Sequence, residues 1–309
     1  MKIEVLAVNI SEKKGTIKKP QAFITLNENG VEGDAHSGPW HRQVSLLAIE
    51  SIEKFAKEAG REIKHGEFAE NITTKGIELH YLRPFDRLKG DDVELEVTQI
   101  GKKCHGSNCN IFKEVGNCVM PKEGIFARVI KGSQLKSGDE LILIPKVFRV
   151  LVITMSDRAF HGVYDDKSGP MVQKLTKDYF EQERYPVEVT NEILPDDSVR
   201  LESILREAVD QGVEAVFITG GTGIGPKDIT PETVKKVIDK EIPGIMELVR
   251  YKYGQNIPGA LLSRSIAGVA SKTLIYAIPG SPKAAKEYVD EIYKTFMHSI
   301  RMIEGIDMH

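Results

Sequence analysis

The sequence predicts two domains of different class: a mostly β, barrel-like domain over residues 1–145, then an α/β domain with a mainly parallel sheet over 146–309. Three observations predict this. The chain has 309 residues, 41% of them hydrophobic, enough for two ordinary cores. Residues 1–145 carry short apolar strands separated by Gly, Asp and Pro, the spacing of a small barrel. From about residue 147 strand and helix patterns alternate, which specifies parallel strands joined by crossover helices.

The first domain's strands are expected at 4–9, 43–49, 93–100, 126–130 and 140–144, with one helix near 50–59. Pro145-Lys146 is the junction, with no Gly/Ser-rich or charged linker beside it. In the second domain, strands are expected at 148–154, 187–190, 214–219 and 273–278. Helices alternate with them near 169–182, 198–211, 231–253 and 283–303. In the helix at 198–211, Val199, Ile204, Leu205, Ala208 and Val209 recur at helical spacing and are expected to face the sheet.

Composition narrows the function classes. The chain has no run of 18 apolar residues, and Met1-Lys-Ile-Glu-Val-Leu-Ala-Val-Asn9 reads as a strand rather than a signal peptide. A cytoplasmic protein with no membrane partner is expected. Up to Lys146 there are 22 Lys+Arg against 21 Asp+Glu, and beyond it 20 against 24. Neither half offers a basic surface, which argues against nucleic acid as a partner. Cys104, Cys109 and Cys118 lie within fifteen residues of one another, a clustering that points to thiol or metal chemistry in a reducing compartment.

The segment hardest to explain as scaffold is Thr219-Gly-Gly-Thr-Gly-Ile-Gly-Pro-Lys-Asp-Ile-Thr-Pro-Glu-Thr233. It follows the apolar run 215–218 and leads into a helix expected to start with Thr230 as N-cap and Pro231 at the first position. Glycines there let backbone amides close around an anionic oxygen, and a helix N-terminus adds favourable field. A tight turn needs only one glycine, whereas positions 220, 221, 223 and 225 supply four. The Walker and dinucleotide loops are both excluded, because Pro226 separates Gly225 from Lys227 and Gly225 falls one place short of the fingerprint's third glycine. Asp228 would repel an anion here unless a divalent cation lies between them, which suggests Mg²⁺; its structural alternative is a capping aspartate.

Further polar loops are expected at the carboxyl ends of strands, where open α/β sheets bind ligands. These are 154–158 continuing to 164–170, then 194–197, the glycine loop and 279–283, with Leu262-Ser-Arg-Ser265 adding another cluster. Asp196 and Asp228 suit Mg²⁺ on a triphosphate, with Lys227, Lys283 or Arg264 neutralising charge. Asp196 has an N-capping alternative, since Asp-Asp-Ser precedes an amphipathic helix. Ser156, Asp157 and Ser263 suit gripping a polar ligand more than nucleophilic attack, as no histidine accompanies them in these motifs.

Taken together, Ser156-Asp-Arg158, Asp165-Asp-Lys-Ser-Gly-Pro170, Pro195-Asp196, the glycine loop through Glu232, Ile242-Pro-Gly244, Leu262-Ser-Arg264 with Ala267-Gly268, and Pro279-Gly-Ser-Pro282 resemble the MogA/MoaB family of molybdenum-cofactor biosynthesis. The resemblance covers essentially all of 147–309 in order, and the long loop 156–170 looks more like the MogA branch than a similar branch without catalysis. It implies adenylylation of molybdopterin by ATP with Mg²⁺, giving adenylyl-molybdopterin and pyrophosphate. It also implies trimers and other molybdenum-cofactor biosynthesis proteins as partners. The implied catalytic and metal residues are Asp196 and Asp228. Substrate contacts are implied at Ser156, Asp157, Arg158, Ser168, Gly220, Gly221, Thr222, Gly223, Ser263, Arg264, Pro279, Gly280 and Ser281.

In the first domain, Gly33-Asp-Ala-His36, Arg42-Gln-Val-Ser-Leu-Leu47, Gly66 to Thr74, Gly101-Lys-Lys-Cys-His105, Gly124 to Val129 and Gly138-Asp139 resemble the MOSC domain. That resemblance implies sulfur transfer or molybdenum-cofactor binding through a cysteine, here matching Cys104. Lys102, Lys103 and His105 beside Cys104 favour a thiolate. A metal or cluster held by Cys104, His105, Cys109 and Cys118 is a rival, though the usual structural-zinc spacing is absent; buried structural thiols are another. Arg42, for a phosphate or pterin carbonyl, and His36, Glu70 and Asn71 are further pocket candidates. The expectation is thus a two-domain molybdenum-cofactor enzyme. A molybdopterin carrier without chemistry is the alternative, and a metal-cluster redox protein a third reading.

Overall fold

The computed structural model describes residues 1–103 and 118–306. The chain forms two compact units, Met1–Lys146 and Val147–His309. No helix among the described residues is long and apolar enough to cross a membrane.

The first unit is a barrel. Its strands are β1 (Lys2–Ile10), β2 (Lys19–Gln21), β3 (Phe23–Asn27), β4 (Gly30–Val31), β5 (Val44–Ala48), β6 (Ile72–Lys75), β7 (Arg87–Lys89), β8 (Glu94–Ile100), β9 (Ile125–Lys131), β10 (Gln134–Lys136) and β11 (Glu140–Ile144). Seven close into a ring in the order β1, β6, β5, β9, β8, β7, β11, with β11 returning to β1. Closure removes the exposed strand edges that a small open sheet would present. Strand β1 serves three neighbours because it is long: Lys2–Glu4 pairs with β11, Glu4–Val8 with β6 and Val8–Ile10 with β2. Register shifts between Val5 and Ala7, and between Val97 and Gln99, provide bends of the kind a closed sheet requires.

The ring's parallel pair is β5 with β6, joined by a crossover containing helix α1 (Ile49–Ala59). Every residue of β5 is buried because Val44, Leu46 and Ala48 fill the barrel while Leu47 packs with Ile52, Phe55 and Phe68 beneath α1. The sequence pattern missed six short strands, at 19–21, 23–27, 30–31, 72–75, 87–89 and 134–136. Runs of two to five residues are too brief to show a period, and Lys19–Gln21 is exposed throughout while Gly30–Val31 is buried throughout.

The second unit is a six-stranded sheet: β12 (Phe148–Met155), β13 (Val187–Leu194), β14 (Ala215–Thr219), β15 (Lys240–Glu241), β16 (Ile266–Ala270) and β17 (Thr273–Ile278). The spatial order is β13-β12-β14-β17-β16-β15. Strands β13, β12, β14 and β17 run parallel, and β16 and β15 are antiparallel additions at one edge. The sequence reading contained neither added strand, because Ile266-Ala-Gly-Val-Ala270 is built from small residues with weak β signal. Its helices are α3 (Asp157–Phe160), α4 (Ser168–Gln182), α5 (Ser198–Asp210), α6 (Thr230–Lys235), α7 (Pro243–Gly254), α8 (Pro282–Ile292) and α9 (Phe296–Ile303), following α2 (Met120–Glu123) in the first unit. The segment expected as helix near 231–253 is thus two helices around β15, the second restarting at Pro243, and the last helix breaks at 293–295.

Register positions the site. Thr154 is level with Thr219 and Ile193, and Thr219 with Ile278, so four parallel strands end on one edge and release their loops together. One sheet face is aliphatic, with Leu151, Ile153, Val216, Ile218 and Ile275 against Leu201 and Leu205 of α5. The other is aromatic: Phe180 lies 5.0 Å from Phe148 and 5.7 Å from Phe296, and Phe217 lies 5.1 Å from Tyr276. Phe180 is fully buried. Phe180→Ala is therefore expected to destabilise the second unit by about 3–5 kcal/mol, read from its urea unfolding transition.

Candidate functional site

The glycine loop leaves β14 through backbone too crowded for side chains. Gly220 has φ +99°, and a Cβ there would lie 2.5 Å from the Met155 carbonyl oxygen; Gly221 has φ +63° and would meet Thr230 Oγ1. Thr230 does not cap the following helix as expected. Its hydroxyl donates to the Gly220 carbonyl (2.9 Å) and its amide to the Gly221 carbonyl (3.1 Å), closing the loop at its base. The helix it opens, α6, has only six residues, so its dipole contributes less than the sequence pattern suggested.

Arg264 holds the loop from the side. Its Nε donates to Gly223 O (2.6 Å), its Nη2 to Asp228 O (2.7 Å), and its Nη1 pairs with Glu232. Expected on the substrate, this guanidinium is spent on the loop. The Asp228 carboxylate also folds back, accepting the Gly225 amide through Oδ2 at 2.7 Å.

A cavity of about 670 Å³ opens in front of the loop. Gly220, Gly221, Thr222, Gly223, Asp228, Ser263, Pro279, Gly280 and Ser281, all named from sequence, line it. The amides of residues 221–224 have no partner among the described residues, and the first turn of α8 faces the same space, with Ser281 Oγ capping it by accepting from Ala284 N (3.4 Å). Lys283 is the lysine in the wall; Asp228 and Glu287 are its acids. Sequence reasoning missed an apolar and aromatic part of the lining, Tyr253, Ile257 and Tyr288, to which Leu262 adds. Tyr288 shares the inward periodicity of Ala285, Val289 and Ile292, so it reads as core.

Beside the cavity is an acidic cluster. The Asp157 carboxylate accepts the Asp196 amide at 3.0 Å through Oδ1 and pairs with Lys227 Nζ at 2.5 Å through Oδ2. Lys227 and the Asp196 amide hold Asp157 below the ordinary carboxylate range. Asp196 goes the other way: partial burial, then the Asp157 charge, raise it, with Asp228 adding and Lys227 opposing. The capping duty that competed for Asp196 belongs to Asp197, whose Oδ1 accepts Val199 N and Arg200 N.

Three expected contacts fall elsewhere. Ser168 is buried, with its hydroxyl on Asp166 Oδ1 (3.1 Å) and against Thr219 Oγ1 (3.0 Å), bracing the start of α4 against β14. Asp166 organises that corner by accepting Ser168 N, Gly169 N and Thr154 Oγ1. Ser156 caps α3 and contacts the Tyr164 hydroxyl at 3.1 Å, while Arg158 is exposed over the Tyr164 ring.

In the first unit a smaller hollow of about 110 Å³ is lined by His36, Trp40, Arg42, Ser45, Asn71 and Lys102, among others. The Arg42 guanidinium lies 4.8 Å over the Trp40 ring, and Asn71 Oδ1 accepts Ser45 N and Oγ. Glu70 does not reach the hollow; it is fully buried, accepting Gly66 N and Thr73 Oγ1, and burial raises its pKa. Beneath lies a fully buried Lys18–Asp34 ion pair, with His36 Nδ1 3.4 Å from Asp34. Cys104, His105 and Cys109 lie outside the described residues; Cys118 is part-buried.

Comparison with known proteins gives two families for this arrangement. Residues 151–299 match the family described as "Probable molybdopterin binding domain" and residues 33–142 match the MOSC domain. The molybdopterin adenylyltransferase of Helicobacter pylori (strain J99) is 37% identical over 155 residues, covering 50% of this chain and 86% of the relative. The chain belongs to the molybdopterin adenylyltransferase family. The Escherichia coli K12 molybdopterin adenylyltransferase is 34% identical over 170 residues, 51% of this chain and 86% of that one. A crystal structure of the molybdopterin biosynthesis enzyme MoaB from Thermus thermophilus aligns at 34% identity over 51% of this chain and 97% of its own, with TM-score 0.47. To this family's domain the chain adds a MOSC domain.

The crowding at Gly220 makes a prediction. Gly220→Ala is expected to destabilise the second unit by about 1–3 kcal/mol. Gly225→Ala, at a position without positive φ and facing only the Asp228 carboxylate, is expected to cost less than about 1 kcal/mol. Urea unfolding of the two variants checks the difference.

Proposed function

We propose that the second unit transfers the adenylyl group of ATP to molybdopterin, releasing pyrophosphate. The observation that carries this reading is the cavity itself: unpartnered amides of residues 221–224, Lys283 and an apolar aromatic wall on one side, and an acidic cluster at the rim. Amides and a lysine suit phosphate oxygens, and the aromatic wall suits a flat heterocycle. A phosphate monoester is largely dianionic near pH 7, since its second pKa is about 6, so no strong base is required. A terminal phosphate oxygen of molybdopterin attacks the α-phosphorus of ATP as the bond to the bridging oxygen of pyrophosphate breaks, the electron pair leaving with pyrophosphate. The chain's task is then to align and neutralise.

The residues fit Mg²⁺. Asp157, Asp196 and Asp228 interact electrostatically, with Lys227 and His161 offsetting them in part, and Asp196 is raised by burial and then by the Asp157 charge. They do not converge into a three-ligand cage among the described residues, which agrees with an ion that keeps several waters and takes one or two carboxylates plus substrate phosphates. Asp196 and Asp228 would hold it, and it would supply charge neutralisation at the transferring phosphoryl group. Arg264 acts as a positioning residue by fixing the Gly223 and Asp228 carbonyls.

For the first unit we propose binding of the molybdenum cofactor's anionic groups in the hollow of Arg42, Lys102, His36 and Asn71. Sulfur transfer through Cys104, which lies outside the described residues, is proposed for the same unit. Leu248, Tyr251 and Leu261 leave large apolar side chains in solvent, which supports a homo-oligomer, proposed as a cytoplasmic trimer. A carrier without chemistry is favoured by one observation, the Asp228 carboxylate bonded to its own loop.

One assay separates the two. With molybdopterin, ATP and Mg²⁺, the purified chain is expected to release pyrophosphate, and Asp228→Ala to fold normally while turnover drops by about 100-fold or more. Tight molybdopterin binding without pyrophosphate would establish the carrier. Protonation gives a second measurement. Asp196, raised in the folded protein, loses its charge on acidification earlier than an ordinary carboxylate, so Mg²⁺-dependent kcat/KM should fall as pH drops through that raised value. Asp157→Asn removes a neighbouring negative charge and should move this acid limb to lower pH; an unmoved limb would separate Asp196 from the reaction.

A further inference from the structure

We propose that Glu78, His80 and Glu123 of the barrel unit form a binding site for a divalent first-row cation, with zinc the best match. The site shares no residue with the hollow of Arg42 or with the second unit's cavity, and does not rest on the function proposed above. Each of the three offers one ligand atom, and these atoms all lie within 4.8 Å of one another. His80 Nε2 is 3.6 Å from Glu78 Oε2. Ligands at zinc distances of about 2.0–2.1 Å in a tetrahedron are spaced about 3.3 Å apart, so closing the set takes a contraction of roughly 1.5 Å at its widest.

Of the three side chains, one has a buried atom left without a partner among the described residues. Glu123 is only 16% exposed in its side chain, and its carboxylate takes Lys54 Nζ at 3.2 Å through Oε1 and the Ser51 hydroxyl as well. His80 Nδ1, by contrast, is buried and unpartnered. A buried imidazole nitrogen left unpaired is costly, and a cation held through Nδ1 relieves that cost. The donor set is chemically matched: one neutral imidazole and two carboxylates balance a +2 charge and suit zinc, leaving a fourth position for water.

The placement gives such an ion a structural consequence. Glu78 and His80 come from the 3₁₀ turn at Leu79–Tyr81 and its approach, whereas Glu123 ends α2, and the two elements pack together. An ion there would clip segments more than forty residues apart in sequence, as a local cross-link does.

The test uses the full chain with Cys104, Cys109 and Cys118 changed to Ser and with excess Mg²⁺, so that neither thiols nor the acidic cluster of the second unit competes for zinc. Isothermal titration with Zn²⁺ is expected to show one equivalent bound, with a rise in the thermal midpoint. His80→Ala and Glu123→Gln, tested separately and checked for fold by circular dichroism, should each weaken binding by about 100-fold or more, because losing even an outer partner of a metal ligand costs about 10–100-fold. Absence of stoichiometric binding, or binding unchanged in whichever variant folds, would overturn the site.

Discussion

The arrangement of the second unit depends on backbone meeting backbone at Gly220. A Cβ added at this residue would lie 2.5 Å from the end of β12, and one added at Gly280 would lie 3.1 Å from the Gly220 Cα. Three strand ends therefore converge at a point that admits no side chain. The loop after β14 and the loop after β17 can line one cavity only because this contact is so close. Parallel register brings the strand ends level, and glycine lets them touch. Thr230 and Arg264 then lock the loop from below and from the side, so its unpaired amides are held in place before any ligand arrives.

Charge is divided on the same plan. Lys227 and Arg264 read from sequence as free cations beside a phosphate loop, yet one is held by Asp157 and the other by loop carbonyls and Glu232. Lys283 is left to face the cavity. Burial raises Asp196 first, and the neighbouring Asp157 and Asp228 charges add to it. A surface pair such as Lys227–Asp157, with Lys227 three-quarters exposed, contributes little to stability; its effect is to decide which carboxylate keeps its charge.

The barrel unit shows the opposite economy. Its hollow is backed by a lysine and an aspartate with no solvent exposure at all, bonded to each other and flanked by a buried Glu70. Burying such a pair costs desolvation that the attraction scarcely repays, so stability alone does not account for it. It does fix the floor under His36 and, with Asn71 and Ser45, the geometry of the hollow.

The sequence by itself determined the two-unit organisation, the strands and helices long enough to show a period, and the glycine loop with the polar segments around it. These are local properties: apolar spacing, glycine density and turn chemistry are carried by neighbouring residues. Short strands such as Gly30–Val31 and the antiparallel pair β15 and β16 were not legible, because their pairing comes from strands elsewhere in the chain. Only the tertiary structure decided that Asp197 rather than Asp196 caps α5, that Ser168 is a brace, that Arg264 supports the loop, and that Tyr288 lines the cavity. The reason is physical: a polar side chain's role is set by which group lies within about 3 Å. For Arg264 and Glu232 or Lys227 and Asp157 that group is 32 or 70 residues away, a distance no sequence pattern spans.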